Sequence, residues 1–305
     1  MNRLNKSDHW RMYCFAFLVI AVGSSCSSEN TSDGSPEEQI VEPIIVEPIV
    51  EESGEQTVEE TVTVNTALTC DEIATKFVTR GSANVDLPDP EVSATCANDT
   101  VTVTANGIPD FPYIQTSPGV PEANTVDYNF PATPTVADVV TSIPVIGAIG
   151  VAINGIPIYG PTEGPGGDVL SRPGGFTECG GHNGPTGYHY HIFDVTGSDF
   201  CLFTEAEVTP APQLFGYALD GYPIYSGNTQ YTSSWFLSDA SLFATDTWSA
   251  HTYAPESGDL DQCNGRTDED GNYAYYTTEG FPYTLGCLRG VVELESVGGP
   301  RGSVN

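Results

Sequence analysis

The sequence predicts a mostly β protein: a sandwich or Greek-key-like domain built from two related halves, with few short helices and disulfide staples. Three observations predict it. Two hairpin signals recur in parallel order with two cysteine–tyrosine units. Proline and glycine are frequent, 23 and 32 of 305 residues, and helical periodicity is rare. Beyond Cys14 and Cys26 six cysteines remain, an even number.

The first 25 residues read as a signal peptide. Arg3, Lys6 and Arg11 form a basic start, and Met12 to Val22 is an apolar run too short to span a bilayer, which needs about 20 residues. Gly23-Ser24-Ser25-Cys26 resembles a bacterial lipobox, with Cys26 as the lipidation site. The expected location is the cell envelope, as an outer-membrane or cell-surface bacterial lipoprotein, with the membrane reached through the lipid anchor. Residues 26–66 then read as an acidic tether. Positions 27–66 hold 11 Asp or Glu and no Lys or Arg. Val41-Glu42-Pro43-Ile44 recurs as Val46-Glu47-Pro48-Ile49, and prolines with repelling carboxylates favour an extended, unpacked chain.

Residues 67–99 are expected to form a small subdomain around Cys70 and Cys96, and residues 100–300 the main domain. Residues 67–305 hold 29 acidic and 6 basic residues. Such a surface repels phosphate backbones and excludes nucleic acid as a partner, while it attracts cations.

The duplication covers about 147–205 and 213–290. Gly150-Val151-Ala152-Ile153-Asn154-Gly155-Ile156-Pro157-Ile158-Tyr159 matches Gly216-Tyr217-Ala218-Leu219-Asp220-Gly221-Tyr222-Pro223-Ile224-Tyr225. Asn-Gly and Asp-Gly between β-prone residues predict type I′ hairpins, whose two central residues need positive φ. The second pair is Cys179-Gly180-Gly181-His182 through Tyr188-His189-Tyr190-His191, against Cys263-Asn264-Gly265-Arg266 through Tyr273-Ala274-Tyr275-Tyr276. A later cysteine closes each unit. The layout predicts Cys179–Cys201 and Cys263–Cys287, leaving Cys70–Cys96; each loop is worth about 3 kcal/mol on a chain-entropy estimate. Helices are expected over 71–79 and 238–244, and leading strands over 100–104 and 125–130.

Tyr188-His189-Tyr190-His191, preceded by Cys179-Gly180-Gly181-His182 and flanked by the two Asn/Asp-Gly-x-Pro-Ile-Tyr hairpins, resembles the YHYH family. The stretch from Leu260-Asp261-Gln262-Cys263 through Phe281-Pro282-Tyr283 to Gly286-Cys287 and Arg289-Gly290 is also similar to it. The likeness spans roughly 100–290 and implies a secreted or surface bacterial domain, without supplying an activity. Some relatives carry histidines in the second unit, where this chain has Ala274 and Tyr276, which leaves one imidazole cluster.

His189 and His191, two apart on a strand, point to one face. His182 lies across a Gly/Pro-rich turn and can fold back as a third ligand. Three histidines with an open fourth position suit zinc or copper. The second copy keeps both tyrosines and replaces the histidines with Arg266, Ala274 and Tyr276. Tyr188, Tyr190, Tyr273 and Tyr275 are therefore read as packing, and His182, His189 and His191 as ligands of a copper or zinc ion. Packed or capping histidines are the competing reading. As exposed ligands, grafting the second copy's residues onto them would shift stability within about 0.5 kcal/mol. Asp259, Asp261, Asp268 and Asp270 form a weaker candidate, a calcium loop. His251, near Trp248 and Tyr253, reads as packing. No catalytic base or nucleophile stands out.

Three functions follow: an extracytoplasmic metal-binding protein, a metal-dependent enzyme at the same site, or a surface module that recognises a protein or glycan through exposed aromatics such as Trp235 and Trp248.

Overall fold

The computed structural model describes residues 68–292 apart from Glu178 and residues 196–198. The signal segment, Cys26 and the acidic tether lie outside the described residues. Among those residues no helix is long and apolar enough to cross a membrane.

The first element is α1 (Cys70–Ala74), which Thr69 starts through a capping box: its hydroxyl accepts from the Glu72 N–H and the Glu72 carboxylate accepts from the Thr69 N–H. The helix stops short of the expected Thr79, because the Val78 N–H donates instead to the Ile153 carbonyl in the main sheet. Strands β1 (Val92–Ala97), β2 (Thr100–Ala105) and β3 (Val126–Pro131) form an antiparallel sheet. The turn between β1 and β2 is Asn98-Asp99, both at positive φ, and the Cys70–Cys96 disulfide ties α1 to β1. The expected boundary between residues 99 and 100 falls inside this hairpin, so the Cys70–Cys96 segment shares a sheet with the residues that follow.

Strand β4 (Val136–Ser142) leads to the duplicated part. The first copy supplies β5 (Ala148–Ala152), β6 (Pro157–Tyr159), β7 (Gly181–Gly184) and β8 (Gly187–Tyr190). After α2 (Glu205–Val208), the second copy supplies β9 (Leu214–Ala218) and β10 (Pro223–Tyr225). A small ribbon, β11 (Trp235–Leu237) with β12 (His251–Tyr253), carries α3 (Thr247–Ala250) between its strands. Strands β13 (Gly265–Thr267) and β14 (Tyr273–Tyr276) complete the second copy, and β15 (Cys287–Gly290) pairs with β4.

The two copies make one sheet of order β13-β14-β10-β9-β5-β6-β8-β7. They meet at β5 and β9, where Gly150 pairs with Ala218, Val151 with Tyr217 and Ala152 with Gly216. Val151 faces its own repeat-equivalent, and Gly150 and Ala152 each face the equivalent of the other, so the junction is a local two-fold. The glycines are required there: a Cβ on Gly150 would lie 2.7 Å from the Tyr217 carbonyl oxygen, and one on Gly216 2.4 Å from that of Val151. The halves therefore share a sheet.

That sheet is covered on both faces, which explains the unbroken apolar run of β5. On one side Val101, Val103, Tyr128 and Phe130 of the small sheet pack on Val151, Tyr217 and Leu219. Phe130 stacks on Tyr217 at 5.3 Å and 8°, worth about 0.5–1.5 kcal/mol beyond area burial. On the other side Ile149, Ile158, Phe215 and Ile224 pack with Tyr188, Tyr190 and Tyr275. Disulfides Cys179–Cys201 and Cys263–Cys287 close a loop in each copy.

Two local expectations need correction. In the hairpins at Asn154-Gly155 and Asp220-Gly221 only the glycine has positive φ, +82° and +89°, so neither is type I′. The polar residue keeps ordinary backbone and serves the core instead: the Asn154 amide donates to Tyr190 Oη at 3.2 Å, and Tyr275 donates to the Asp220 carboxylate at 2.6 Å. Residues 238–244 form turns rather than a helix, since the Ser238 and Asp239 N–H groups both donate to the Ala250 carbonyl. The helical turn comes later, at α3, where Asp246 caps Ser249.

Candidate metal centre

The β7–β8 hairpin places His182 directly opposite His189. His191 follows one residue beyond β8, and its backbone N–H donates to the Gly180 carbonyl. The ring centroids lie 4.5 Å apart for His182 and His189, 4.8 Å for His189 and His191, and 5.2 Å for His182 and His191. One nitrogen from each ring falls within 4.8 Å of the other two, and among the described residues no other group of three metal-ligating side chains gathers in this way.

Each ring is held by its Nδ1. His182 Nδ1 meets the Asn183 carbonyl at 3.2 Å, His189 Nδ1 the Gly187 carbonyl at 2.9 Å, and His191 Nδ1 the Gly160 carbonyl at 2.6 Å. A carbonyl oxygen only accepts, so Nδ1 carries the hydrogen in all three. In the neutral rings Nε2 then holds a free lone pair, the tautomer a metal site needs.

The expectation of exposed ligands is wrong: His182, His189 and His191 are 4%, 5% and 2% exposed. Tyr159 stacks on His189 at 4.1 Å and Phe176 lies edge-on to His182 at 5.7 Å. The short turn between β7 and β8, and the aromatic residues that the first copy packs around it, pull the imidazoles out of water. Burial pushes the His191 imidazole down to about 3, against the raising effect of the Gly160 carbonyl. Burial, then the neighbouring His191 and His182, holds His189 well below the ordinary imidazole value. Tyr188 and Tyr190 are fully buried on the opposite side, with Tyr188 Oη 2.7 Å from Thr177 Oγ1.

Glu163, which carried no sequence signal, stands at the edge of the cluster. It sits in a Gly/Pro-rich turn after β6, and a lone acidic residue there has no diagnostic spacing. Its Oε1 lies 3.2 Å from His182 Nε2 and 3.0 Å from Arg172 Nε. The His182 approach is off the direction a hydrogen bond requires, which leaves both atoms without a hydrogen-bond partner. Burial acts to raise the Glu163 carboxyl, but His182 and Arg172 outweigh it and hold it below the usual carboxylate range. A groove of about 760 Å³ opens on this side, lined by Glu163, Arg172, His182, Asn183 and residues from Ser117 to Asn124.

A family model described as YHYH protein matches residues 127–290. The chain belongs to the YHYH family. The match begins in β3 and takes in the eight-stranded sheet, the three histidines and Glu163, while α1, β1 and β2 precede it. No curated protein and no solved structure matches the chain. The three disulfides are consistent with an oxidising, extracytoplasmic setting.

The second copy of this YHYH domain has no such cluster. Arg266 stacks over Tyr231 at 4.8 Å, and Tyr231 packs on Tyr276 at 4.6 Å, so packing fills the equivalent space. The four aspartates do not form a calcium loop. Asp259 accepts from Thr232, Asp261 from the Cys263 and Gly265 N–H groups, and Asp268 from the Asp270 and Asn272 N–H groups. Three of the carboxylates are thus spent on separate turns. The aromatic platform is also missing among the described residues: Trp235 and Trp248 pack edge-on at 5.7 Å, and Phe236 is the one exposed aromatic. His251 stacks on Phe281 at 4.0 Å, as packing.

Proposed function

We propose that this YHYH protein holds a transition-metal ion, copper or zinc, through Nε2 of His182, His189 and His191 in an extracytoplasmic setting. One observation carries the reading: all three Nδ1 atoms are committed to backbone carbonyls, which frees three Nε2 lone pairs in one buried cluster. Three buried neutral imidazoles gain little from proximity to one another, whereas an ion would give each Nε2 a partner. In a tetrahedral site with bonds of about 2.0–2.1 Å the donor nitrogens stand about 3.3 Å apart. One ligand nitrogen from each ring lies within 4.8 Å of the others, so the rings must close by up to about 1.5 Å to meet one ion. The acidic chain, of formal net charge −32, draws cations towards it. The lipobox-like Gly23-Ser24-Ser25-Cys26 and acidic tether support a lipid-anchored placement in the cell envelope.

Thermal unfolding of the full-length protein with chelator, and with copper or zinc added, tests this. An ion at 100 times its dissociation constant stabilises the native state by about 2.7 kcal/mol. Melting curves that coincide with and without metal defeat the reading. The second reading, a metal-dependent enzyme, is favoured by the groove that reaches His182 and Glu163. It requires a fourth coordination position open to substrate.

A further inference from the structure

We infer that Glu163 is the fourth donor of this centre, closing it as a three-imidazole, one-carboxylate site. The inference rests on the metal-binding reading and decides what occupies the position left open there.

The first argument is an unfavourable contact. With Nδ1 of His182 donating to the Asn183 carbonyl, its Nε2 presents a lone pair. His182 Nε2, on a side chain 4% exposed, lies 3.2 Å from Oε1 of Glu163, a side chain 24% exposed, and neither atom has an aligned hydrogen bond. While His182 is neutral, two buried acceptors at this distance repel unless a proton or a metal ion is shared between them. The second argument is the distance itself. Two donors on one tetrahedral ion, each about 2.0–2.1 Å away, stand about 3.3–3.4 Å apart. The contact with His182 therefore has the length of a coordination edge, and since Glu163 lies outside the group of donor atoms within 4.8 Å of one another, its carboxylate must swing towards His189 and His191 to close the site.

Arg172 supplies what an oriented carboxylate ligand needs. Its Nε meets Glu163 Oε1 at 3.0 Å, and its guanidinium donates to the Gly175 carbonyl at 2.7 Å, so the carboxylate is held by an arginine that is itself anchored. The duplication gives an independent comparison. Glu163 lies four residues after Tyr159, the last residue of β6, and four residues after the equivalent Tyr225 stands Thr229. The second copy has thus lost the carboxylate together with the three imidazoles. A site closed by four protein donors holds or passes on an ion and leaves no position for a substrate to be activated.

The test uses full-length protein with cobalt(II) as the probe. The wild type is expected to give the intense visible bands of a four-coordinate centre. Glu163→Gln keeps the shape and removes the charge. It is expected to alter those bands and weaken binding at least as much as the roughly 10–100-fold that loss of an outer partner costs. A metal-free melting midpoint equal to that of the wild type shows that Glu163→Gln folds. Copper(II) bound to the wild type needs no variant: double resonance in D2O is expected to find no exchangeable water on the ion. Unchanged cobalt bands and affinity in Glu163→Gln, or an exchangeable water on copper in the wild type, overturn the assignment. A wild type that binds neither ion overturns the metal-binding reading itself, and the two failures are thereby told apart.

Discussion

Gly184→Ala tests how tightly the fold positions the His189 ring. Gly184 pairs with Gly187 across the β7–β8 turn, and a Cβ added there would stand 2.8 Å from His189 Cε1. That ring cannot simply swing away, because Nδ1 is fixed to the Gly187 carbonyl at 2.9 Å and the face is stacked on Tyr159 at 4.1 Å. Overpacking of this kind costs about 1–3 kcal/mol. Replacing glycine with alanine stiffens the unfolded chain and returns about 0.4–1 kcal/mol. A net destabilisation of about 1–2 kcal/mol is expected, with weaker zinc or copper binding because the displaced ring carries a donor. The duplication shows the alternative solution: where the second copy has Ala274 for His189, it has Asp268 for Gly184. His189→Ala should therefore relieve the clash, and the double variant should be more stable than the sum of the single losses by about 1–3 kcal/mol. Urea unfolding of the four proteins without metal measures this coupling, and a zinc titration measures the affinity. A Gly184→Ala protein of unchanged stability and affinity, with additive double-variant losses, would refute the reasoning.

Three further outcomes are expected. Tyr190→Ala removes a fully buried ring and its bond from Asn154, and should cost about 3–5 kcal/mol in unfolding experiments; a loss below about 1 kcal/mol would show that this face is not core. The metal-free protein should lose stability as pH falls from about 6.5 towards 3, since the folded His189 and His191 stay neutral while the unfolded imidazoles take up protons; stability that is flat or rises over this window contradicts the buried, neutral assignment. Cys26→Ala should release the protein from the membrane fraction, and undiminished recovery there argues against lipidation.

Much of this architecture is legible in the sequence because the duplication acts as an internal alignment. The Asn154-Gly155 and Asp220-Gly221 signals locate the hairpins, and the cysteine–tyrosine units locate β7, β8, β13 and β14. The joining of the halves was not legible, since antiparallel pairing of β5 with β9 leaves no trace beyond two unexplained glycines. The same limit hid the burial of the histidines. Alternation in Tyr188-His189-Tyr190-His191 assigns faces, but not what covers each face, and Tyr159 and Phe176 come from elsewhere in the chain. Glu163 was invisible for a related reason: a turn carries it to His182, and turns have no period to read. The helix expected over 238–244 failed because hydrogen bonds to Ala250 claim the backbone that would start it.

The central claim is that the three imidazoles exist to hold a metal ion. Element analysis of full-length protein purified without added metal, beside a His182→Arg, His189→Ala, His191→Tyr variant, tests it most directly. The account predicts copper or zinc approaching one ion per chain in the wild type, and none in the variant. A wild type free of both metals, and still free after dialysis against each, would contradict it.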